Sequence, residues 1–203
     1  MEIKEIVKNL SKHSQVLILS SVAGVLLGYL FYLGPKPYYA TGSFYIKRSV
    51  DTTRFNYFAY EGYYGQQTGL SYTNTVLALF ESLDIRYKAL TNINLPTDIN
   101  NLRKYSGMIT VKKAGPLLIT LTVKGWTQEK AEALWNSMAN TTIEKSRQIN
   151  TTGDPLLSIS KISENPVVKV QYRPLWICLA FGLISVLLLV IFYLSFKEYF
   201  NWK

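Results

Sequence analysis

One cysteine, Cys178, and one histidine, His13, are all the chain has of either residue. A single Cys excludes an intrachain disulfide framework, and one Cys with one His cannot supply the ligand cluster of a structural zinc site. Charge is missing from two long stretches. Val16 to Leu33 runs for 18 residues and Leu175 to Leu194 for 20 without Asp, Glu, Lys or Arg. A spanning run with no charged residue argues against an intramembrane ion or proton pathway. Internal repeats and low-complexity segments are also missing. Acidic residues are scattered, and the closest pair on one expected helix face, Glu129 and Glu132, fits an exposed face better than acid–base work. The sequence therefore offers no catalytic set, no metal cluster and no cofactor site.

What is abundant is apolar length, tyrosine and positive charge. At about 1.5 Å per residue, each uncharged run matches the roughly 30 Å hydrocarbon core of a bilayer. The first run is longer than a signal-peptide core and no small-x-small cleavage site follows it, so it is read as an uncleaved anchor. Tyr29, Tyr32, Tyr38 and Tyr39 near one run, and Trp176, Tyr193, Tyr199 and Trp202 near the other, suit interfacial aromatic belts. The expected organisation is a cytoplasmic segment 1–15, a membrane helix 16–33, an extracytoplasmic domain 34–174, a membrane helix 175–194 and a cytoplasmic tail 195–203. The positive flanks are nearly balanced, so this orientation rests on short ends and a long loop. Ile3, Ile6, Val7 and Leu10, with Lys4 and Lys8 between them, also have the helical spacing of a segment lying on an anionic leaflet.

The middle region reads as an α+β domain, an antiparallel or mixed sheet with helices on one face. Tyr39 to Lys47 alternates as a strand. Residues 54–72 show no clear period and contain three Gly, which predicts a long loop or irregular arm. A helix follows over Thr73 to Leu83, capped by Ser71 or Thr73. Asp84 is expected to cap a short helix ending near Leu90, and turn formers fill Asn92 to Asn101. Ile119, Leu121 and Val123 alternate with Thr120, Thr122 and Lys124, so Met108–Lys113 and Leu117–Lys124 predict a hairpin with one buried face. A long helix opens at Thr127 with an Ala131, Leu134, Trp135, Met138 stripe and ends near Ile149. Asn150 to Pro155 is a break. Leu156–Lys161 and Val167–Gln171 predict a strand pair or one bent strand. First and last strands each adjoin a membrane run, so they are expected side by side.

Some residues point to packing or contact. Gly24 and Gly28 form a GxxxG row extended by Ser20, which permits close helix approach, either to the second helix or to a neighbouring subunit. Tyr57, Tyr60, Tyr63 and Tyr64 crowd the 54–72 segment, where rings serve subunit contact, local packing, interfacial lipid or glycan. The 34–174 region carries 17 Lys/Arg against 10 Asp/Glu, a net of +7 within the whole chain's +9. Such a surface attracts anionic polymer or lipid headgroups, or is simply solvated. Nucleic acid is not expected, because the basic region is placed away from the cytoplasm.

The pattern as a whole resembles the chain-length determinant family, the polysaccharide co-polymerases (Wzz-like proteins). The resemblance is one of organisation over nearly the whole chain. It rests on Pro37 to Thr41 opening the first strand, on ITVKK and LLITLTVKG, and on the helix TQEKAEALWNSMAN. It rests most on Pro174 before the second helix with Gly182 inside it. The extended helical hairpin of many members has no room here, and no Gly-rich phosphate loop follows the tail, so the size fits the short capsule-type members that lack a fused kinase. The resemblance implies a non-enzymatic homo-oligomer, a ring in the cell membrane, that regulates chain length or export of a surface polysaccharide beside its polymerase. Other readings stay open. One is an adaptor activating a separate cytoplasmic tyrosine kinase through Tyr199, Phe200 and Trp202, whose other reading is an interfacial anchor. Another is a structural subunit of a different membrane assembly.

Overall fold

The computed structural model describes residues 14–49 and 58–201, with side chains described for 14–49 and 63–197. The described residues fall into two units. One joins the chain up to Lys36 to the chain from Tyr172 onward, and the other is Pro37–Gln171.

The first unit is a pair of helices, α1 (Ser14–Leu33) and α6 (Leu175–Asn201). Both are long and apolar enough to cross a membrane. A helix satisfies its own backbone, which is the condition for entering hydrocarbon. Two serine side chains are satisfied within the helix as well: Ser20 and Ser21 each donate a 2.8 Å hydrogen bond to Leu17 O.

The second unit is an α+β domain around one five-stranded sheet. Its strands are β1 (Tyr38–Arg48), β2 (Ile109–Gly115), β3 (Leu118–Gly125), β4 (Leu157–Lys161) and β5 (Val167–Val170). The order is β2-β3-β1-β4, with β5 also on β1, and every pairing is antiparallel. β5 lies along Tyr38–Thr41, so the first and last strands of the domain are neighbours. β4 lies along Phe44–Arg48 on the same edge of β1. The two short strands therefore follow one another rather than pairing together. Buried Pro166 sits between them, and proline, lacking an N–H, interrupts a ladder. Ile162 N still donates to Ser43 O across the gap.

Four helices accompany the sheet: α2 (Phe58–Glu81), α3 (Leu83–Asn92), α4 (Ile99–Ser106) and α5 (Gln128–Thr152). All fully buried strand positions share one face, as in β3, where Ile119, Leu121 and Val123 are buried while Thr120, Thr122 and Lys124 are not. Against that face pack Val76 and Phe80 of α2, Ala89 and Leu90 of α3, and Leu134, Trp135 and Met138 of α5. Trp135 is the centre. Its ring stacks on Phe44 (5.5 Å between centroids, 18° between planes) and its Nε1 donates to Leu121 O at 3.0 Å. Gly42 makes the space, since a Cβ there would lie 2.3 Å from the indole.

The local starts and stops follow from side chains. Thr127 caps α5 by accepting from Lys130 N, Ser82 caps α3 by accepting from Ile85 N, and Asp98 caps α4 by accepting from Asn101 N. Each satisfies an amide that the first helical turn leaves without a partner. After α3 the chain reverses through Asn94 at φ 53°, a left-handed conformation that asparagine accepts more readily than most residues.

Five expectations are corrected. The loop or irregular arm over 54–72 is helical from Phe58 onward. Its glycines are not all breakers: Gly69 lies against Leu117, where a Cβ would stand 3.0 Å from Leu117 Cδ2. Ser71 and Thr73 consequently sit inside α2 instead of capping a helix, and Thr73 Oγ1 donates back to Gly69 O at 2.8 Å. Asp84 lies in the first turn of α3, where Ser82 is the cap. The Asn92–Asn101 turn gives way at Ile99 to α4, a helix the apolar spacing did not reveal because none of its residues is fully buried. The break expected at Asn150 begins at Gly153, because Asn150 and its turn still belong to α5.

Candidate functional site

In the helix pair, the buried residues of α1 are Ser20, Gly24 and Gly28, the small-residue row itself. Gly24 faces Leu183 and Gly182, where an added Cβ would come within 2.9 Å of Leu183 Cα. Gly28 faces Cys178 and Leu179, with an added Cβ 2.5 Å from Cys178 O. Gly182 lies between the two, 2.5 Å from Gly24 O and 2.6 Å from Gly28 N by the same construction. The order of these contacts makes the helices antiparallel. Without a hydrophobic difference between side chain and lipid, such backbone approach is what holds helices together. The row is therefore occupied by α6 of the same chain. Pro174 stands just before α6, and its carbonyl accepts the Cys178 N–H at 3.4 Å.

Arg173 was visible in the sequence only as a flanking charge. It closes the helix pair at its connected end. Its guanidinium donates to Phe31 O at 3.3 Å and Pro35 O at 3.4 Å, and its carbon lies 5.4 Å from the Phe31 ring centroid. A cation at the C-terminal end of α1 meets the negative end of the helix, where Phe31 O also accepts from Gly34 N at 3.3 Å. Lys36 Nζ lies 4.2 Å from the Tyr32 ring centroid at the same end.

The tyrosine group is divided. Tyr63 and Tyr64 are exposed on α2, edge to face with centroids 6.0 Å apart, and Gln67 Nε2 donates to Tyr63 OH at 3.3 Å. Tyr60 lies in α2 by its backbone, and its side chain is outside the described set; Tyr57 is outside the described residues. Tyr199 and Phe200 extend α6, with side chains outside that set, and Trp202 is outside the described residues.

The face of the sheet away from the helices is open. Its rows follow from the strand register. Thr110, Thr122 and Thr41 stand side by side, and Thr41 Oγ1 lies 3.2 Å from Thr122 Oγ1. The next row holds Lys112, Thr120 and Ser43, with Ser43 Oγ 2.9 Å from Thr120 Oγ1. Tyr45 pairs with Ser160 and Lys47 with Ser158. At the other end Tyr39 lies between Lys124 and Lys169. Lys124 Nζ lies 5.7 Å from the ring centroid of exposed Trp126. None of these side chains is buried, and none is acidic.

On the helical side, a polar network joins three elements. Tyr72 OH and Ser146 Oγ are hydrogen-bonded. Asn150 Nδ2 donates to Tyr72 OH at 2.6 Å and to Leu157 O at 2.7 Å. Beside it a cleft of about 260 Å³ is lined by Ile143, Arg147, Thr151, Pro155 and Ile159 among others. Two ionisable groups nearby are perturbed. Burial works against the Asp154 carboxylate, but the 2.9 Å Arg48 Nε bond and the Leu156 N–H outweigh it and hold the group below its ordinary value. Burial lowers Lys161, opposed by Glu164, and its ammonium lies 5.4 Å from the Trp135 ring centroid.

Among the described residues no group of three His, Cys, Asp or Glu side chains is placed to hold a metal. The arrangement can hold helices together and present a polar, cationic surface. No protein-family model and no curated protein matches this chain.

Proposed function

We propose that this protein is a two-pass membrane scaffold of surface-polysaccharide assembly, non-enzymatic and oligomeric. It sits in the cell membrane with both termini cytoplasmic and the Pro37–Gln171 domain on the opposite side. One observation carries the reading. A closely packed antiparallel pair of spanning-length helices brackets one α+β unit whose first and last strands, β1 and β5, are hydrogen-bonded neighbours. That organisation agrees with the resemblance to chain-length determinants, where copies act as a ring on the polymerase. Because the Gly24–Gly28 row is already filled by α6, contacts between copies fall to other surfaces, with Tyr63 and Tyr64 of α2 as the exposed aromatic candidates. A homo-oligomer built this way repeats one patch by symmetry.

The test is genetic and physical. Removing the gene is expected to change the length distribution of the surface polysaccharide, read on a gel of extracted polymer. An unchanged distribution overturns the reading. The full chain purified in detergent is expected to run as a defined oligomer by light scattering.

A further inference from the structure

One uncovered feature of the Pro37–Gln171 unit is the face of the sheet away from the helices. A solvent-facing antiparallel sheet is ordinary, but its usual charge pattern is mixed. Here Lys47, Lys112, Lys124 and Lys169 share one face without a carboxylate among the described residues of those strands. Ion pairs that would neutralise these lysines are replaced by hydroxyl rows, Thr41 with Thr122 and Ser43 with Thr120. Lys113, by contrast, turns to the helical side and donates to Asn74 Oδ1 at 3.0 Å.

We propose that this face binds an anionic polysaccharide, an inference that rests on the glycan reading above and names the substrate class. Three kinds of group on the face suit that ligand. The lysines attract its carboxylates or phosphates, and across β3, β1 and β5 the Lys124 and Lys169 positions stand about 10 Å apart with Tyr39 between them. The hydroxyl rows match sugar hydroxyls as donors and acceptors. The rings of Tyr45 and Trp126 offer apolar planes for sugar faces. Neutral glycan leaves four ammonium groups unused. A second copy of the same face sets lysine against lysine.

The full chain, held in nanodiscs of phosphatidylcholine, is titrated with polygalacturonate and, separately, with neutral dextran of equal length. Polygalacturonate is expected to bind and dextran not to. Replacing Lys47, Lys112, Lys124 and Lys169 together by Ser is expected to weaken binding by about tenfold or more, the sum of four exposed charge contacts. An equal change of charge on the helices, Lys88, Lys104, Lys130 and Lys145 to Ser, is expected to leave binding within about twofold. The pair Tyr45→Ser and Trp126→Ala, which alters no charge, is expected to weaken it by about threefold or more. Near-UV circular dichroism establishes that each variant is folded; where the fourfold variant is not, the four single Lys→Ser variants carry the comparison, each about twofold.

Equal loss in both charge variants reduces the effect to net charge and overturns the proposal. So does capture by phosphatidylglycerol vesicles, dependent on the same lysines and tighter than polygalacturonate binding, which makes the partner a lipid surface. The two readings fail separately. Face-dependent binding together with unchanged polymer length after gene removal overturns the scaffold role alone. Altered polymer length without face-dependent binding overturns this inference alone.

Discussion

The central glycines of the two units do opposite work: those of the helix pair admit backbone, and Gly42 of the α+β unit admits a side chain. In the helix pair, Gly24, Gly28 and Gly182 bring backbone against backbone, and the surrounding Leu, Ile and Phe side chains point outward. In the α+β unit, Gly42 makes room for a single large side chain, Trp135, while Gly125, where a Cβ would lie 2.8 Å from Ala131 N, repeats the close approach to backbone at the first turn of α5. Water explains the difference. In the domain, burying apolar surface is itself favourable, so the core is organised around its largest apolar group. In a bilayer, the setting the proposed function gives the helix pair, that force would be absent and closeness of approach would take its place.

The comparison can be broken first at Trp135. Trp135→Ala is expected to destabilise the domain by about 3–5 kcal/mol, the cost of a large cavity in a packed core. Chemical denaturation of the full chain, followed by near-UV circular dichroism, measures it; a loss below about 1 kcal/mol would remove Trp135 from the centre of the core. The helix pair should be insensitive to this change, as judged by the distance between spin labels on α1 and α6.

Gly182→Val is the reciprocal experiment. Its side chain has no room against Gly24 O and Gly28 N, so the spin-label distance should lengthen, at a cost of about 1–3 kcal/mol for overpacking. Domain unfolding should be unmoved. If the distance stays the same, the close crossing is refuted.

A third change addresses the polar centre of the domain. Tyr72→Phe removes a hydroxyl bonded to Ser146 and Asn150. With those groups left short of a partner, the expected loss is about 1–3 kcal/mol. Urea titration beside the wild type reads it, and Asn150→Asp gives an independent disturbance of the same network.

The smallest effect is expected at Asp154, whose carboxylate is favoured in the folded state by Arg48 and the Leu156 amide. A depressed folded value means stability that is present above the unfolded value of about 3.9 and lost as pH falls through the lower folded one. Asp154→Asn should therefore cost about 1 kcal/mol or less near neutral pH. That difference from wild type should shrink below about pH 4. A difference that stays constant down the acid range would show that the charge plays no part.

Much of the architecture was legible. The β2–β3 hairpin shows in the strict alternation of Ile119, Leu121 and Val123, because one face of the sheet is dry and the other wet. The opening of α5 at Thr127 shows because a periodic apolar run begins there, and the structure adds that Thr127 is its cap, accepting from Lys130 N. The Gly24, Gly28 and Gly182 positions were legible as small residues in apolar helices. The 58–72 half of α2 was not, since its glycines favour turns and its tyrosines favour strands, and contacts distant in sequence, such as Gly69 against Leu117 and the burial of Tyr72, override those preferences. Arg173 and the Lys124–Tyr39–Lys169 row were also hidden. Each joins residues far apart in sequence, and no local pattern marks which strands become neighbours.

The sequence by itself determined the two spanning-length helices, the α+β class and the buried face of β3, because each depends on periodicity and burial along a single segment. The tertiary structure decided which surface fills the Gly24–Gly28 row, and that β4 and β5 share one edge of β1. It also decided that four lysines from four strands stand together on an open face. Those outcomes depend on register and on which elements meet, and registers are settled by the fit of whole surfaces rather than by neighbours along the chain.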